Sequence, residues 1–358
     1  MKNRSNPSTP AENLSAHERK LLLRQWRRAS TFHSLGVFLR VLLTLVLALL
    51  IVLYTAFLGP SVTVCEKLTN SLMESSALKF VPYLFLRDEQ VDDIIARGQP
   101  KEPEAVVNTS LIQIAKPEDA NEEADETEEE AIALYPVSGS TYKGYVMIVK
   151  DPSRVFLGVT SPQFNNRGMS IDVLAEKYGA VGGINASGFE DEGGVGDGGQ
   201  PLGMVISEGE ILRSDSSKTI AAFDKNDILH VGKFTKEEAQ ALGLRDGAGW
   251  GPALVINGEP AEITSTSTGL NPRTAIGQRA DGAVIMVVLD GRHPSCLGGT
   301  YMDLIEILMR FGAVNACNLD GGYSSIMYYE GRRVSDVTSM DRSRKIPTAF
   351  LIREVTEE

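Results

Sequence analysis

The sequence predicts an α+β fold, in which a domain dominated by a mixed β-sheet with a few helices follows one N-terminal transmembrane helix. Beyond residue 131, short apolar segments are many and helical stretches are few, which favours a sheet-dominated domain. Residues 41–58 include no charged residue, whereas residues 118–130 contain nine acidic residues and no basic one. These changes in composition divide the chain into a basic cytoplasmic tail (1–40), a transmembrane signal anchor (41–59), a juxtamembrane stalk (60–116), an acidic disordered linker (117–131) and a folded domain (132–358).

The first 58 residues have the pattern of a membrane anchor. Residues 1–40 carry eight Lys and Arg residues against two Glu, and the uncharged run that follows is 18 residues long. A helix of that length spans about 27 Å, close to the hydrocarbon core of a bilayer at about 30 Å. A buried soluble helix is the alternative, but the basic flank favours a span, and the run is longer than the apolar region of a cleavable signal peptide. The predicted location is therefore the cell membrane, single-pass, with a cytoplasmic N-terminus and an extracellular folded domain.

The sequence of the region between the anchor and the folded domain does not indicate one particular structure. Residues 84–97 are compatible with a helix, so the stalk could also contact a partner. The acidic run accounts for most of the net charge of −12, and such runs are typical of solvated, disordered linkers. Because nucleic acid needs basic partners, this composition excludes a nucleic-acid-binding function.

The candidate strands are short and bounded by glycine or polar residues. They are 144–149, 155–159, 180–184, 204–207, 219–223, 253–256, 274–277, 284–289, 313–319 and 348–352. Helices are predicted over 171–178, 236–242 and 302–311. So few helices among so many strands oppose a regular doubly wound fold.

One run of polar residues, 315–325, has the composition of a ligand site. Asn318 and Asp320 alternate with apolar residues at the period of a strand, so both side chains are expected on one face. Gly321 and Gly322 permit a sharp turn or the close approach of a ligand, and Ser324 adds a hydroxyl. Taken alone, Asp-Gly is more often a simple hairpin turn.

Further polar residues stand at the ends of other apolar segments. Arg273 precedes one strand, Asp290 and Arg292 follow another, and Asn185 ends a third. Glu306 lies within a helical stretch, where a solvent-facing position is the simpler interpretation.

In order and spacing, these motifs resemble the phosphodiester glycosidase domain family, which includes the mammalian uncovering enzyme and bacterial relatives. The resemblance covers roughly residues 142–353. It rests on Asn-x-x-Gly-Phe at 185–189, Pro-Arg-Thr-Ala-Ile-Gly at 272–277, Asp-Gly-Arg at 290–292 and the block that contains Asn-Leu-Asp-Gly-Gly-x-Ser-Ser at 318–325. The family usually has Asn-Gly-Gly-Phe-Phe at the first element, so Ala186, Ser187 and Glu190 are departures.

The resemblance implies a hydrolase that removes a sugar from a phosphodiester-linked glycoconjugate of the cell envelope or an exopolysaccharide. Two guanidinium groups suit the phosphate because each can pair two of its oxygens, and a carboxylate can activate water or stabilise a cationic sugar. The residues assigned to catalysis are Asp320, Glu306 and Asp290, and those assigned to substrate binding are Arg273, Arg292, Asn185, Asn318, Ser324, Gly321 and Gly322. No metal or cofactor is predicted, and the expected partners are the glycan substrate and the membrane.

Two other functions stay open from the sequence. A phosphodiesterase could use the same arginines to break a P–O bond, and a non-catalytic envelope protein could keep the pocket for glycan binding. Cys296 and Cys317 are either a disulfide or two thiols, and His293 is interpreted as a surface loop residue. The glycine-rich stretch 193–199 matches neither a nucleotide-binding motif nor an EF-hand.

Overall fold

The computed structural model describes residues 16–75, 78–114, 131–165, 167–191, 196–263, 269–335 and 344–355. The chain forms two compact units, Met1–Pro60 and Ser61–Glu358. The first unit contains a single described helix. Its part Leu35–Leu58 is 24 residues long, reaches a mean hydropathy of 2.8 over 18 of them and is long and apolar enough to cross a membrane. The predicted acidic linker lies outside the described residues, except for its last position.

The described residues contain six α-helices and seventeen strands. The helices are α1 (Ala16–Leu58), α2 (Val62–Met73), α3 (Asp88–Gly98), α4 (Ile171–Tyr178), α5 (Lys236–Ala241) and α6 (Tyr301–Arg310). The longer strands are β1 (Ile132–Ser138), β2 (Lys143–Val149), β3 (Val155–Val159), β4 (Ala180–Asn185), β5 (Met204–Ser207), β6 (Glu210–Ser214), β7 (Ile220–Asp224), β8 (Leu229–Gly232), β9 (Leu244–Ala248), β10 (Ala253–Ile256), β12 (Arg273–Arg279), β13 (Val284–Leu289), β14 (Ala313–Asn318) and β17 (Thr348–Arg353). Three short strands complete the set: β11 (Glu259–Pro260), β15 (Met327–Tyr329) and β16 (Arg332–Arg333).

The strands form three sheets, and the sheet-dominated α+β class is confirmed. Their strand orders are β1-β2-β13-β12-β14-β10-β11 for the first sheet, β16-β15-β4-β17-β3 for the second and β6-β5-β9-β7-β8 for the third. The expectation of a mixed sheet is corrected, because every strand pairing among the described residues is antiparallel. Several neighbours, such as β12 and β13, follow each other along the chain through a short turn, and antiparallel pairing needs no crossover helix.

The three sheets share one apolar core, and a helix covers the outer face of each. Met147 of the first sheet, Phe350 of the second and Phe223 of the third belong to the same buried cluster. On the outer faces, α6 packs against the first sheet, α4 against the second and α5 against the third. Since fully burying one such side chain contributes about 1.5–3 kcal/mol, this core fixes the three sheets relative to one another.

The segment that follows α1 differs from the predicted stalk, because it packs against the sheets as part of the second unit. The Leu270 backbone N–H donates to the Ser71 hydroxyl at 2.9 Å, and the Gln113 N–H donates to the Ala280 carbonyl at 2.8 Å. Helix α3 buries Val91 and Ile94 on one face. The amphipathic spacing of α3 explains why this segment lies on the domain instead of extending from it.

Antiparallel register brings several strand ends to one edge of the first sheet. Arg273 at the start of β12 pairs with Leu289 at the end of β13, and Ala275 pairs with Asn318 at the end of β14. Ala253 at the start of β10 pairs with Cys317. The three polar motifs at residues 273, 290–292 and 318–325 therefore meet at the same end of this sheet.

Candidate active site

A cavity of about 640 Å³ opens at that end of the first sheet. Its walls come from this sheet, from the α2–α3 segment and from loops beside the strands of the third sheet, which contribute Lys218, Lys233 and Trp250. Arg273, Asn318, Gly321 and Gly322, which the sequence assigned to substrate binding, all line it. A volume of this size is typical of pockets for small molecules or for part of a larger ligand.

Asn318 presents an unsatisfied acceptor at the cavity. The residue is 2 % exposed, and its amide nitrogen donates to the carbonyls of Gly251 at 2.7 Å and Leu319 at 2.9 Å. Its side-chain oxygen has no hydrogen-bond partner among the described residues. Because buried polar atoms are normally paired, this oxygen is suited to accept a hydrogen bond from a bound ligand.

The Gly-Gly turn that follows requires both glycines. A Cβ atom on Gly321 would lie 2.9 Å from the Pro272 carbonyl oxygen, and Gly322 adopts a φ of 61°, which favours glycine. The Gly322 N–H donates to the Pro272 carbonyl at 2.9 Å. The turn is therefore held against the entry to β12, directly beside Arg273.

Arg273 is held rigidly at the cavity wall. Its Nε donates to the Gly299 carbonyl at 3.2 Å, its Nη2 donates to the Gly269 carbonyl at 2.8 Å, and the guanidinium lies 4.0 Å from the ring centroid of Tyr301. Burial by itself would lower the pKa of this group, but the Glu74 carboxylate and the Tyr301 hydroxyl raise the pKa above its ordinary value. The cation is therefore permanent and its direction is fixed.

Arg292 does not line the cavity; it lies beside Gly322 of the turn and is held more loosely than Arg273. It has a φ of 59°, and its guanidinium stacks on the Tyr323 ring at 4.3 Å. Its Nη2 makes long hydrogen bonds, 3.3 Å to the Asn271 side-chain oxygen and 3.4 Å to the Glu74 carbonyl. Burial lowers its pKa from the ordinary value, although Tyr323 opposes this shift.

A carboxylate that the sequence analysis missed, Glu74, sits between the two arginines. It lies just past α2, forms an ion pair with Arg273 Nη2 at 2.9 Å and accepts from the Asn271 amide at 2.6 Å. Glu74 and Arg273 are 199 positions apart, so no local pattern links them. Only the packing of α2 on the sheet shows that this residue belongs to the site.

Asp320 lies on the far side of the same turn and does not itself line the cavity. Asn318 and Gly321, on either side of it, line the cavity, while the Asp320 carboxylate accepts from the Ser324 hydroxyl and the Gly321 N–H. An ion pair between Asp191 and Arg344, at 2.6 Å, lies close to it. Burial raises the pKa of Asp320 to about 7, because the neighbouring hydrogen bonds and the Arg344 charge offset only part of the desolvation.

Asn185 uses its whole amide inside the protein. Its nitrogen donates to the Asp320 carbonyl at 2.6 Å, and its oxygen accepts from the Thr274 hydroxyl at 2.9 Å and the Ile326 N–H at 3.0 Å. It thus fastens β4 of the second sheet to the Asp320 turn. This geometry favours a positioning role, and direct contact with a sugar stays a prediction.

The other two predicted carboxylates are not brought to the cavity. Asp290 is buried directly after β13, where its N–H donates to the Lys143 carbonyl at 2.8 Å. Glu306 is exposed on α6, in agreement with the solvent-facing alternative, although Tyr301 of the same helix lines the cavity. Neither residue lines the cavity and, unlike Asp320, neither lies next in sequence to a residue that does, so a catalytic role for either stays a prediction that this geometry does not support.

The cysteines lie apart from one another within the described residues. Cys296 and Cys317 are free thiols, so the disulfide alternative does not form. No group of three or more His, Cys, Asp or Glu side chains there is placed to hold a metal ion. His293 is exposed, as expected, and its ring contacts the Ser295 hydroxyl at 2.8 Å.

Comparison with known proteins gives the family. The phosphodiester glycosidase family model matches residues 178–353. The matched residues, 178–353, belong to the phosphodiester glycosidase family. The matched residues include Arg273, Arg292, Asn185 and Asp320. The match begins at residue 178, so it does not include Glu74 or the α2–α3 segment.

Two relatives of the phosphodiester glycosidase domain are informative. The SPbeta prophage-derived uncharacterized protein YomE of Bacillus subtilis (strain 168) is 28% identical over 201 residues, which is 52% of this chain and 29% of that protein. The chain thus spans less than a third of that relative. The solved catalytic domain of zebrafish N-acetylglucosamine-1-phosphodiester alpha-N-acetylglucosaminidase has a TM-score of 0.54 at 20% identity and covers 64% of this chain and 86% of that one. This similarity shows that the two share a fold.

Proposed function

We propose that this protein is a membrane-anchored, extracytoplasmic hydrolase that releases a sugar from a phosphodiester-linked glycoconjugate of the cell envelope or an exopolysaccharide. The observation that carries the proposal is the placement of Arg273 and Arg292 on one side of the Gly-Gly turn and of Asp320 on the other. An anionic group, the Glu74 carboxylate, already lies on Arg273, where a phosphate would be attracted. Membership of the phosphodiester glycosidase family supports the same reaction.

In the proposed reaction, water attacks the anomeric carbon of the sugar. The C1–O bond breaks, its electron pair passes to the oxygen of the phosphate, and the sugar leaves with the hydroxyl from water. The departing phosphate monoester gains a negative charge, which the two guanidinium groups stabilise. The proton of the attacking water passes to ionised Asp320, whose pKa of about 7 suits a general base at neutral pH.

The proposed anchor is α1. Its apolar part, Leu35–Leu58, follows a basic N-terminal segment, and by the positive-inside rule this charge pattern supports a second unit outside the cytoplasm. This topology would give the cavity access to envelope polymers.

A direct test uses the full-length protein in detergent with a sugar 1-phosphodiester in ¹⁸O-labelled water. The proposal predicts free sugar that carries the label and an unlabelled phosphate monoester. Label in the phosphate product would instead identify a P–O-cleaving phosphodiesterase. Binding of the substrate without release of sugar would identify a glycan-binding protein.

A further inference from the structure

The α2–α3 connection exposes an unusual cluster of apolar side chains. Within residues 78–84, here called the apolar turn, Leu78, Phe80, Tyr83 and Leu84 are each more than two-fifths exposed, and Leu84 reaches 67%. Pro82 is buried and opens a 3₁₀ turn that ends at Leu84. Single exposed apolar residues are common, but four within seven positions form a patch, and such patches usually mark an interaction site.

The apolar turn also borders the cavity. Lys79, which lies between exposed Leu78 and Phe80, lines the cavity, as do Met73 and Glu74 at the end of α2. Whatever covers the apolar turn therefore lies next to the cavity that Arg273 also lines.

The position of the apolar turn in the chain restricts what can cover it. The candidate membrane span ends at Leu58, and α2 begins at Val62. The twelve residues of α2 advance only about 18 Å, so the length of the connection allows the apolar turn to reach a bilayer that holds the span. Aromatic residues beside a lysine are the combination that favours the lipid headgroup region, where the rings bury apolar surface and the ammonium meets anionic lipid.

We propose that the apolar turn inserts into the headgroup region of the membrane that holds α1 and opens the cavity toward substrates carried there. The substrate class that fits is a sugar phosphodiester whose carrier is a lipid, since its phosphate lies at headgroup level while its tail stays in the bilayer. The reaction assigned to this substrate rests on the proposed function, and the contact with lipid rests on the apolar turn and on the membrane span. Lys79 within the patch favours an anionic lipid surface over an apolar protein face.

The contact with lipid can be tested without any measurement of activity. Full-length protein carrying Phe80→Trp is placed in vesicles of 3:1 phosphatidylcholine and phosphatidylglycerol, with or without brominated acyl chains. Val173→Trp, at an equally apolar position on α4 that is 46% exposed, is the matched control. We expect brominated lipid to quench the additional fluorescence of Phe80→Trp at least twofold and to leave that of Val173→Trp unchanged. Equal quenching, or none at residue 80, would overturn the proposal in favour of a protein partner or a second copy.

The substrate class is tested by comparing two phosphodiesters of the same sugar, one carried by a long-chain lipid in the vesicles and one water-soluble. The variant Phe80→Ser with Leu84→Ser should lose about tenfold in rate on the lipid-carried substrate and keep the parent rate on the soluble one. Val173→Ser with Leu242→Ser should match the parent on both. Equal rates for the Phe80/Leu84 variant and the parent on the lipid-carried substrate would reject the lipid-borne class. If the parent cleaves neither substrate although residue 80 is quenched, the proposed function fails while the lipid contact stands.

Discussion

Two regions flank the Gly-Gly turn, and each contains an ion pair. They differ in whether the proposed functional group is a member of that ion pair. On the cavity side, Glu74 pairs with Arg273 at 2.9 Å, so an acid from outside the family-matched domain sits on a candidate phosphate-binding cation. On the other side, Asp191 pairs with Arg344 at 2.6 Å, next to Asp320. In the first region the functional group, Arg273, is itself a member of the ion pair. In the second region the functional group, Asp320, lies beside the ion pair of Asp191 and Arg344.

This difference explains the opposite electrostatic outcomes. Glu74 raises the pKa of Arg273, so this group stays charged and directs a fixed cation at the cavity. Arg344 is paired with Asp191, whose charge opposes its effect, so Arg344 offsets only part of the burial of Asp320, and the pKa of Asp320 rises to about 7. A single turn thus separates a permanent cation from a carboxylate that changes charge near neutral pH, as an anion site beside a general base requires.

The largest effect on turnover is expected from Asp320→Asn, which changes the second region. The change is nearly isosteric and removes the charge that activates water, so turnover should fall by roughly 10² to 10⁴. The rate of sugar release at pH 7.5 is the measurement, and Asp281→Asn, at an exposed carboxylate paired with Arg279, is the matched control. A folded Asp320→Asn protein with nearly normal turnover would remove Asp320 from the catalytic role.

The next test changes the cations of the first region with the variants Arg273→Lys and Arg292→Lys. Lysine keeps the charge but loses the planar pair of donors, so kcat/KM on a phosphodiester should fall by about 10- to 100-fold. The loss should be greater for Arg273, whose guanidinium also binds the Gly269 and Gly299 carbonyls. On an activated aryl glycoside without phosphate, both variants should approach the parent, provided that the parent accepts it. Equal losses on the two substrates would assign the arginines to the fold or to sugar contact.

Glu74→Gln sharpens the same comparison, because it removes the anion that occupies Arg273. A phosphodiester then meets an uncompensated cation, so KM should fall about three- to tenfold, while loss of the partly buried ion pair lowers the melting temperature. Inorganic phosphate should raise the melting temperature of the variant more than that of the parent. A higher KM with no additional stabilisation by phosphate would show that Glu74 serves to orient Arg273.

The strands were largely predictable because most of them are buried on both faces. Val155–Val159 and Val284–Leu289 are apolar throughout and were predicted to the residue. The short strands Leu229–Gly232 and Leu244–Ala248 were missed, because His230, Arg245 and Asp246 interrupt their apolar pattern. Antiparallel pairing was not predictable either, since periodicity along a strand carries no information about its partner.

The residues of the candidate site likewise fall into two groups. Some could be predicted from adjacent residues in the sequence, and others depend on contacts between distant parts of the chain. Gly321 and Gly322 were predictable because their backbone requirement is encoded in adjacent residues. Glu74 was not, because its meeting with Arg273 depends on how α2 packs against a sheet that forms much later in the chain. The low exposure of Asn185 likewise results from contacts with Thr274 and Asp320, which only the assembled sheets provide.

A smaller effect should appear in the pH dependence of stability. The pKa of Asp320 is raised from 3.8 to about 7 in the folded protein, so the folded state holds this proton more tightly than the unfolded state. The resulting stabilisation is complete below pH 3.8 and is lost as the pH rises to about 7. Asn at this position does not titrate. The free energy of unfolding of Asp320→Asn relative to the parent should therefore increase by on the order of 2–3 kcal/mol from pH 5 to pH 8. Urea unfolding at the two pH values is the measurement, and a constant difference would contradict the raised pKa.

The smallest effect is expected from Glu306→Gln. This variant tests whether catalysis uses Asp320 alone or Asp320 together with Glu306. Leu304, Ile307 and Leu308 of α6 face the core, and at about 100° per residue Glu306 falls on the opposite side of the helix from Leu304. The structure accordingly leaves Glu306 exposed, whereas Tyr301, one turn earlier, lines the cavity. We expect kcat/KM on the phosphodiester to change by less than about twofold, measured beside Asp320→Asn in the same preparation. A loss comparable with that of Asp320→Asn would require α6 to turn Glu306 toward the substrate during catalysis, and the division between a cation side and a single-carboxylate side would then be wrong.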